Sequence, residues 1–218
     1  MSDVLDHIRE NGYVDLGEVD PCQSIEIVSS RVAASVGAMI VAPPELLGTS
    51  SVGSKSMNTY GGNYGLGDLP VLTDLAHWYI PPRYVMLRCI VGSSLVDTRI
   101  VHRKELEHHV PRALMERALF RPRRRLEGKM YLLKMLTDGI LRWDELFLEP
   151  DNSTAREVCQ LMARMSLNLC HTSVVLDRPG RTVVIDNWNA LHGRSEVPSS
   201  VTRRLIERVY LEEAKNDR

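Results

Sequence analysis

The sequence predicts a fold made mainly of β-strands with flanking helices, and three patterns carry that expectation. The apolar run 84–91, which follows Pro81-Pro82, has the length and branched content of a core strand. Two further apolar runs, 172–176 and 182–185, flank Asp177-Arg178-Pro179-Gly180, whose proline and glycine favour a turn. Between the strands, apolar residues recur at helical spacing, as in Ile25, Val28, Val32 and Val36. With 218 residues and no shift in composition along the chain, one compact domain over 1–218 accommodates them all.

Taken in order, 4–10 reads as a helix that Asn11-Gly12 stops, and Tyr13-Val14-Asp15-Leu16 alternates as a short strand. The stretch 24–36 follows as a helix with Ser24 as its cap. From 42 to 69 Gly, Ser, Pro and Asn dominate with little periodicity, which reads as a long, lid-like loop. After the core strand, 103–118 reads as a helix interrupted near Pro111, and 154–169 as another with Val158, Leu161, Met162 and Met165 on one face. Residues 203–212 alternate, with Leu205, Glu207, Val209 and Leu211 on one side and Arg204, Ile206, Arg208 and Tyr210 on the other. A strand puts Arg204 and Arg208 on one face, and so does a helix, so periodicity leaves both open. The charged tail 212–218 reads as frayed.

Composition narrows the function classes. Lys plus Arg total 27 against 28 Asp plus Glu, so no net field draws the chain to nucleic acid or to a membrane surface. No run approaches the ~20 apolar residues of a membrane span. The acidic start, Met1 to Asp6, lacks the apolar core of a signal peptide. Cys22, Cys89, Cys159 and Cys170 are scattered without C-x-x-C spacing, which points to reduced, mostly buried thiols in a cytoplasmic protein.

Several suggestive residues have plainer readings. Arg121, Arg123, Arg124 and Arg125 form a basic run without interleaved aromatics, as a solvated loop does. His102, His108 and His109 fall in a helical stretch without ligand spacing and read as surface. In Gly61-Gly62-Asn63-Tyr64-Gly65-Leu66-Gly67 no Gly-Lys-Ser/Thr follows and no helix opens, so the segment reads as part of a lid and not as a phosphate loop.

The run Tyr64-Gly65-Leu66-Gly67-Asp68-Leu69-Pro70-Val71-Leu72-Thr73-Asp74-Leu75-Ala76-His77-Trp78, followed by Pro81-Pro82-Arg83-Tyr84, resembles Fe(II)/2-oxoglutarate dioxygenases of the taurine-dioxygenase and clavaminate-synthase/asparagine-oxygenase groups. In those enzymes a glycine-containing stretch leads into a His-Thr-Asp or similar ligand pair and then into a core strand. Val184-Ile185-Asp186-Asn187-Trp188-Asn189-Ala190-Leu191-His192-Gly193-Arg194 is similar to the strand carrying their distal histidine. Arg203-Arg204-Leu205-Ile206-Glu207-Arg208-Val209-Tyr210-Leu211 resembles the next strand, whose arginine grips the distal carboxylate of 2-oxoglutarate. The resemblance spans about 12–211 and implies a double-stranded β-helix, or jelly roll.

For the site, the resemblance implies Fe(II) held by two histidines and one carboxylate, with 2-oxoglutarate as co-substrate. Asp74 and His192 match two ligands, and Leu72 occupies the position of the first histidine. Leucine has no lone pair, and because even neighbouring-shell changes typically cost ~10–100-fold in metal affinity, losing a ligand weakens iron binding strongly. Arg204 is the best match to the co-substrate arginine and Arg208 the second, while Thr98 falls where a threonine often bonds the same carboxylate. Arg142-Trp143-Asp144 resembles a motif of the same subgroup without an assigned role. His77 points to the face opposite Asp74 in an extended strand and reads as packed beside Trp78 with a satisfied hydrogen bond, and His171 as a strand-end surface residue. The implied function is a non-haem iron, 2-oxoglutarate-dependent oxygenase acting on a small amino-acid-like molecule. The alternatives are a binding or regulatory protein on that scaffold, or metal-independent chemistry with His192 as a general base.

Overall fold

Strand alternation sets the architecture, because it divides the side chains of each strand between two layers. The structure, a computed structural model, describes residues 2–48, 59–124, 130–165 and 170–213. Its elements in chain order are α1 (Ser2–Asn11), β1 (Tyr13–Glu18), α2 (Ile25–Ser35), β2 (Ala38–Ile40), β3 (Glu45–Gly48), α3 (Tyr60–Tyr64), β4 (Leu69–Leu72), β5 (Tyr84–Val91), β6 (Asp97–His102), α4 (Arg103–His109) and α5 (Arg112–Arg117). There follow the short strands β7 (Leu119–Pro122), β8 (Leu133–Lys134), β9 (Leu136–Thr137), β10 (Ile140–Leu141) and β11 (Leu148–Pro150), then α6 (Ser153–Met165), β12 (Thr172–Val175), β13 (Arg181–Asp186), β14 (Ala190–Arg194) and β15 (Leu205–Glu213).

Two antiparallel sheets face each other. The larger runs β1-β13-β5-β15, with β2 and β3 both paired to β15 at its edge, and the smaller runs β12-β6-β14-β4. Val85, Leu87 and Cys89 of β5, Val183 and Ile185 of β13, and Ile206 and Tyr210 of β15 meet Ile100, Val174 and Ala190 of the smaller sheet in one buried cluster. On the other side of the larger sheet, Met86, Val184, Val209 and Leu211 pack against Ile8 of α1 and Val28 and Val32 of α2. Val101 and Leu191 of the smaller sheet turn outward into a third cluster with α4, α5, α6 and the short strands.

Of the expected segment 203–212, the residues from Leu205 onward form strand β15, and the alternation divides Arg208, and Arg204 just before the strand, from the outer core. With Val209 and Leu211 fixed in the outer cluster, Arg204, Ile206 and Arg208 face a cavity between the sheets. A one-residue slip would exchange these sets and bury Glu207 inward, so the packing fixes the register.

Other expectations needed correction. The 42–69 stretch contains β3 and α3, because β15 supplies backbone partners to Glu45–Gly48 and Thr59 accepts the Gly62 amide at the start of α3. Residues 49–58 lie outside the described residues, as do 166–169 of the expected helix beyond Met165, Arg125 and most of the tail. Asp177-Arg178-Pro179-Gly180 does turn the chain, but it carries it from β12 in one sheet to β13 in the other. Ser24 precedes α2 without making a side-chain cap bond. All four cysteines are free, and of them Cys89 is buried, Cys159 half-buried, and Cys22 and Cys170 exposed, because the last two lie outside the strands and helices. His102 is no surface residue: it ends β6, half-buried, and its Nδ1 accepts the Lys104 amide at 3.0 Å. Arg121 and Arg123 are exposed and paired with Glu149, as a solvated basic run should be. Among the described residues no helix is long and apolar enough to cross a membrane.

Candidate active site

Leu72 and His192 are brought side by side by the close pairing of β4 and β14, where they are register partners. Gly193 makes this approach feasible, since a Cβ there would lie 2.5 Å from the Leu69 carbonyl oxygen. Pro70 is tolerated in β4 because that strand is the sheet edge.

Beyond Leu72 the backbone is pinned residue by residue. Thr73 donates its amide to the Trp143 carbonyl at 2.8 Å and its hydroxyl to the Leu141 carbonyl at 3.1 Å. Asp74 donates its amide to Asn187 Oδ1 at 2.8 Å, and Asn187 Nδ2 donates back to the Asp74 carbonyl at 3.0 Å and to that of Pro82 at 2.9 Å. Leu75 then adopts a left-handed φ of 55°, a conformation that costs ~1–3 kcal/mol in a non-glycine residue and persists only where its surroundings over-determine it. Arg142 does part of that by donating to the carbonyls of Ala76 and Trp78, both at 2.7 Å, and of Tyr79 at 3.1 Å. Asp144 accepts the Tyr60 hydroxyl at 2.6 Å and the amides of Leu146 and Phe147. Arg142-Trp143-Asp144 is thus a clamp on both the 73–79 turn and α3, a role invisible in the sequence because the partners it clamps are distant in the chain.

The clamped turn delivers Asp74 to the wall of a cavity of about 560 Å³ lined by Leu72, Asp74, Thr98, His192, Arg204 and Arg208, among others. Asp74 and His192 are both buried, with His192 Nε2 3.5 Å from Asp74 Oδ2. Arg208 Nη1 lies 3.2 Å from each Asp74 oxygen, its Nη2 bonds Glu45, and its guanidinium lies 4.9 Å from the Tyr210 ring centre. Burial alone would raise the Asp74 pKa, but Arg208 and His192 outweigh it and hold the carboxyl below the usual range. Burial likewise works against the Arg208 charge, and Asp74 more than restores it.

Arg204 is treated differently. It makes no hydrogen bond or ion pair among the described residues, and its Nε is buried without a partner. Burial, with Arg194 nearby, pulls its pKa down to about 10, which leaves it charged at neutral pH. Arg194 is occupied by the carbonyls of Gly65, Gly67 and Ser195 at 3.0, 2.9 and 2.7 Å. It thereby ties the end of β14 to the 65–67 segment. The 42–69 stretch does border the cavity, through Glu45–Gly48 and through Tyr60, Gly61 and Tyr64.

Neither of the other histidines reaches the site. The turn at Leu75 redirects His77 towards the Phe147 ring, 5.7 Å away, and its buried Nδ1 has no partner, so the expected satisfied bond beside Trp78 is absent. His171 is exposed at the start of β12. Asp74 and His192 therefore offer two donor side chains, with the hydrocarbon of Leu72 as the register partner of His192. Among the described residues no group of three His, Cys, Asp or Glu could hold a metal, so the residues present do not furnish the three-donor facial set.

No family model matches the chain, and no curated protein matches it. Solved structures do, and the fold they define is that of the non-haem iron oxygenases. Asparagine oxygenase with Fe(II), 2S,3S-3-hydroxyasparagine and succinate is similar with a TM-score of 0.71 at 19% identity, covering 96% of this chain and 78% of that one. The non-haem iron oxygenase OrfP, with Fe, succinate and (3S)-hydroxy-L-Arg, follows at 0.69 and 16%, over 98% of this chain and 82% of that one. PvcB from Pseudomonas aeruginosa gives 0.66 and 16%, over 96% and 79%.

Proposed function

We propose that this chain is a single-domain, jelly-roll protein of the 2-oxoglutarate-dependent oxygenase type, acting on a small amino-acid-like molecule by hydroxylation or a related C–H oxidation. The facing antiparallel sheets and the likeness to asparagine oxygenase and OrfP support the scaffold. The observation that carries the co-substrate is Arg204, a guanidinium in the cavity wall without an anionic partner among the described residues. A buried cation is costly unless paired, and the planar fork of arginine matches a carboxylate with two parallel hydrogen bonds. Thr98, buried beside the same cavity, has a hydroxyl to add to that carboxylate.

Turnover of that type would need Fe(II) to hold on Asp74 and His192 alone, two donors where three are usual, and to supply oxygen activation coupled to 2-oxoglutarate decarboxylation. The chain's own residues orient and shield. Arg204 and Thr98 orient the dicarboxylate, Asn187 and Thr73 fix the backbone of Asp74, and Leu72, Leu87 and Ile206 line the cavity with hydrocarbon that excludes water. The likeness to asparagine oxygenase and OrfP, solved with hydroxyasparagine and hydroxy-arginine, supports an amino-acid-like substrate.

Anaerobic Fe(II) titration with 2-oxoglutarate tests this reading. A visible charge-transfer band together with 2-oxoglutarate consumption in air supports it, and absence of both at millimolar iron overturns turnover. Unchanged 2-oxoglutarate binding in Arg204→Ala would overturn the co-substrate seat. A second reading, a binding or regulatory protein without turnover, is favoured by Leu72, which sets an aliphatic side chain opposite His192.

A further inference from the structure

Asp74 needs a counter-charge, since a buried carboxylate left alone is prohibitively costly. In a three-ligand iron site the metal provides it. Here Arg208 already does, with one guanidinium nitrogen equidistant from both carboxylate oxygens. The far end of that guanidinium is tied to Glu45, so Arg208 is held in place from both sides.

His192 points the same way. A metal-bound imidazole presents a bare nitrogen to the ion and nearly always donates its other N–H to an acceptor. The Nε2 of His192 is the nitrogen facing Asp74, and its Nδ1 is buried without a hydrogen-bond partner. The Nε2 nitrogen lies 3.5 Å from Asp74 Oδ2, so it faces a carboxylate that Arg208 already compensates. Leu72 then supplies hydrocarbon where a third donor would sit. A divalent ion entering this pocket would have to displace a guanidinium and settle against a leucine.

The charges lining the cavity complete the picture. Three arginines, Arg194, Arg204 and Arg208, face two carboxylates, Asp74 and Glu45. Arg208 is spent on both carboxylates and the donors of Arg194 on backbone carbonyls, so among the described residues Arg204 is the cavity arginine whose donors stay open.

We propose that Arg208 stands in for a divalent metal as the counter-cation of Asp74, so that the pocket takes its carboxylate ligand on Arg204 without a metal ion. The proposal rests on the reading of Arg204 as the carboxylate seat. Holding Asp74, His192 and Arg208 as one internally neutralised group leaves Arg204 the point of attraction for an incoming anion, whatever the metal content of the solution.

The test is isothermal titration of the full chain with 2-oxoglutarate, once in EDTA and once in saturating Mn(II), with Mn(II) binding itself followed by EPR. The expected result is a Kd in EDTA within about threefold of that in Mn(II), lost by about 30-fold or more in Arg204→Met under both conditions. Arg208→Met, which frees Asp74, is expected to bind Mn(II) about tenfold or more tighter than the parent chain. Binding of 2-oxoglutarate that requires Mn(II) overturns the counter-cation role while leaving the Arg204 seat intact. Binding in neither buffer, or binding indifferent to Arg204→Met, overturns the seat itself. Should Arg208→Met fail to fold, the comparison of EDTA with Mn(II) on the unaltered chain decides the matter, and tight Mn(II) binding by that chain overturns the proposal.

Discussion

Replacing Asn187 with alanine should unlock Asp74, and the cost follows from the hydrogen bonds lost. The Asn187 side chain is fully buried and serves one amide and two carbonyls, those of Asp74 and Pro82. Asn187→Ala leaves all three without partners. A buried polar group stripped of its partner costs ~1–3 kcal/mol, so three give about 3–6 kcal/mol if some water follows into the space. That is a large part of the ~5–15 kcal/mol by which a domain is stable. With a urea m-value of ~1–3 kcal/mol per molar, the midpoint should fall by about 2 M. The assay is urea unfolding followed by circular dichroism, with Asn189→Ala as the comparison. Asn189 makes one half-buried bond to Asp186 at 2.8 Å and should cost only about 1 kcal/mol. If Asn187→Ala shifts the midpoint no more than Asn189→Ala, then the left-handed turn at Leu75 is held by something other than the Asn187 grip, and the positioning account of Asp74 fails.

Three further outcomes are expected. Arg142→Met removes a buried cation from three carbonyls and should destabilise by about 3 kcal/mol or more in the same assay, whereas removal of an exposed ion-paired residue such as Arg121 should cost under about 1 kcal/mol. Leu72→His should raise Mn(II) affinity by about tenfold or more in an EPR titration, and further still when combined with Arg208→Met; no gain in the double variant would refute the ligand geometry. Burial holds the His77 and His102 pKa values below the ordinary ~6.5, so the stability these rings lend is present above that pH and drains away as pH falls through and below it. Tm should therefore drop between about pH 7.5 and 5.5, less so in His77→Phe, while the depressed Asp74 pKa contributes a loss only below about pH 4.

What the sequence disclosed was whatever its own periodicity or ordered motifs could carry. The strands around 84–91 and 181–186 bury nearly every residue and are written as apolar runs, and the break at Pro111 divides α4 from α5 as its missing amide requires. The pairing of Asp74 with His192 beside Leu72 was legible because the motifs keep their order along the chain. Strand β3 was not, since Glu45–Gly48 has no alternation of its own and becomes a strand only by pairing with β15. Nor were Asn187 and Arg142 as clamps, because a long-range side-chain bond to a carbonyl leaves no local pattern, and the same holds for the Tyr60 hydroxyl that Asp144 accepts. The position of Arg208 was only half legible. Its face could be read from alternation, but its choice of Asp74 over an incoming anion depends on distances that three separate strands set together.

Leu72 and Arg208 make more sense as a pair than either does alone. A carboxylate buried between two sheets must be neutralised, and a cation can come either from solution or from the chain. Three donors can hold an ion from solution in place; two donors and a leucine hold it poorly, and the nearest alternative charge is the guanidinium on the adjacent inward position of β15. Once Arg208 takes Asp74, it is no longer free to bind an anion, and in the proposal the carboxylate falls to Arg204, four residues back and lining the same cavity. On the proposed reading, alternation along β15 and the residue before it separates two roles that identical side chains could both fill: Arg208 balances the interior and Arg204 would face the ligand. Restoring a histidine at position 72 without loosening Arg208 would give the metal a donor but not a vacancy on Asp74, which is why the two substitutions are expected to be worth more together than apart.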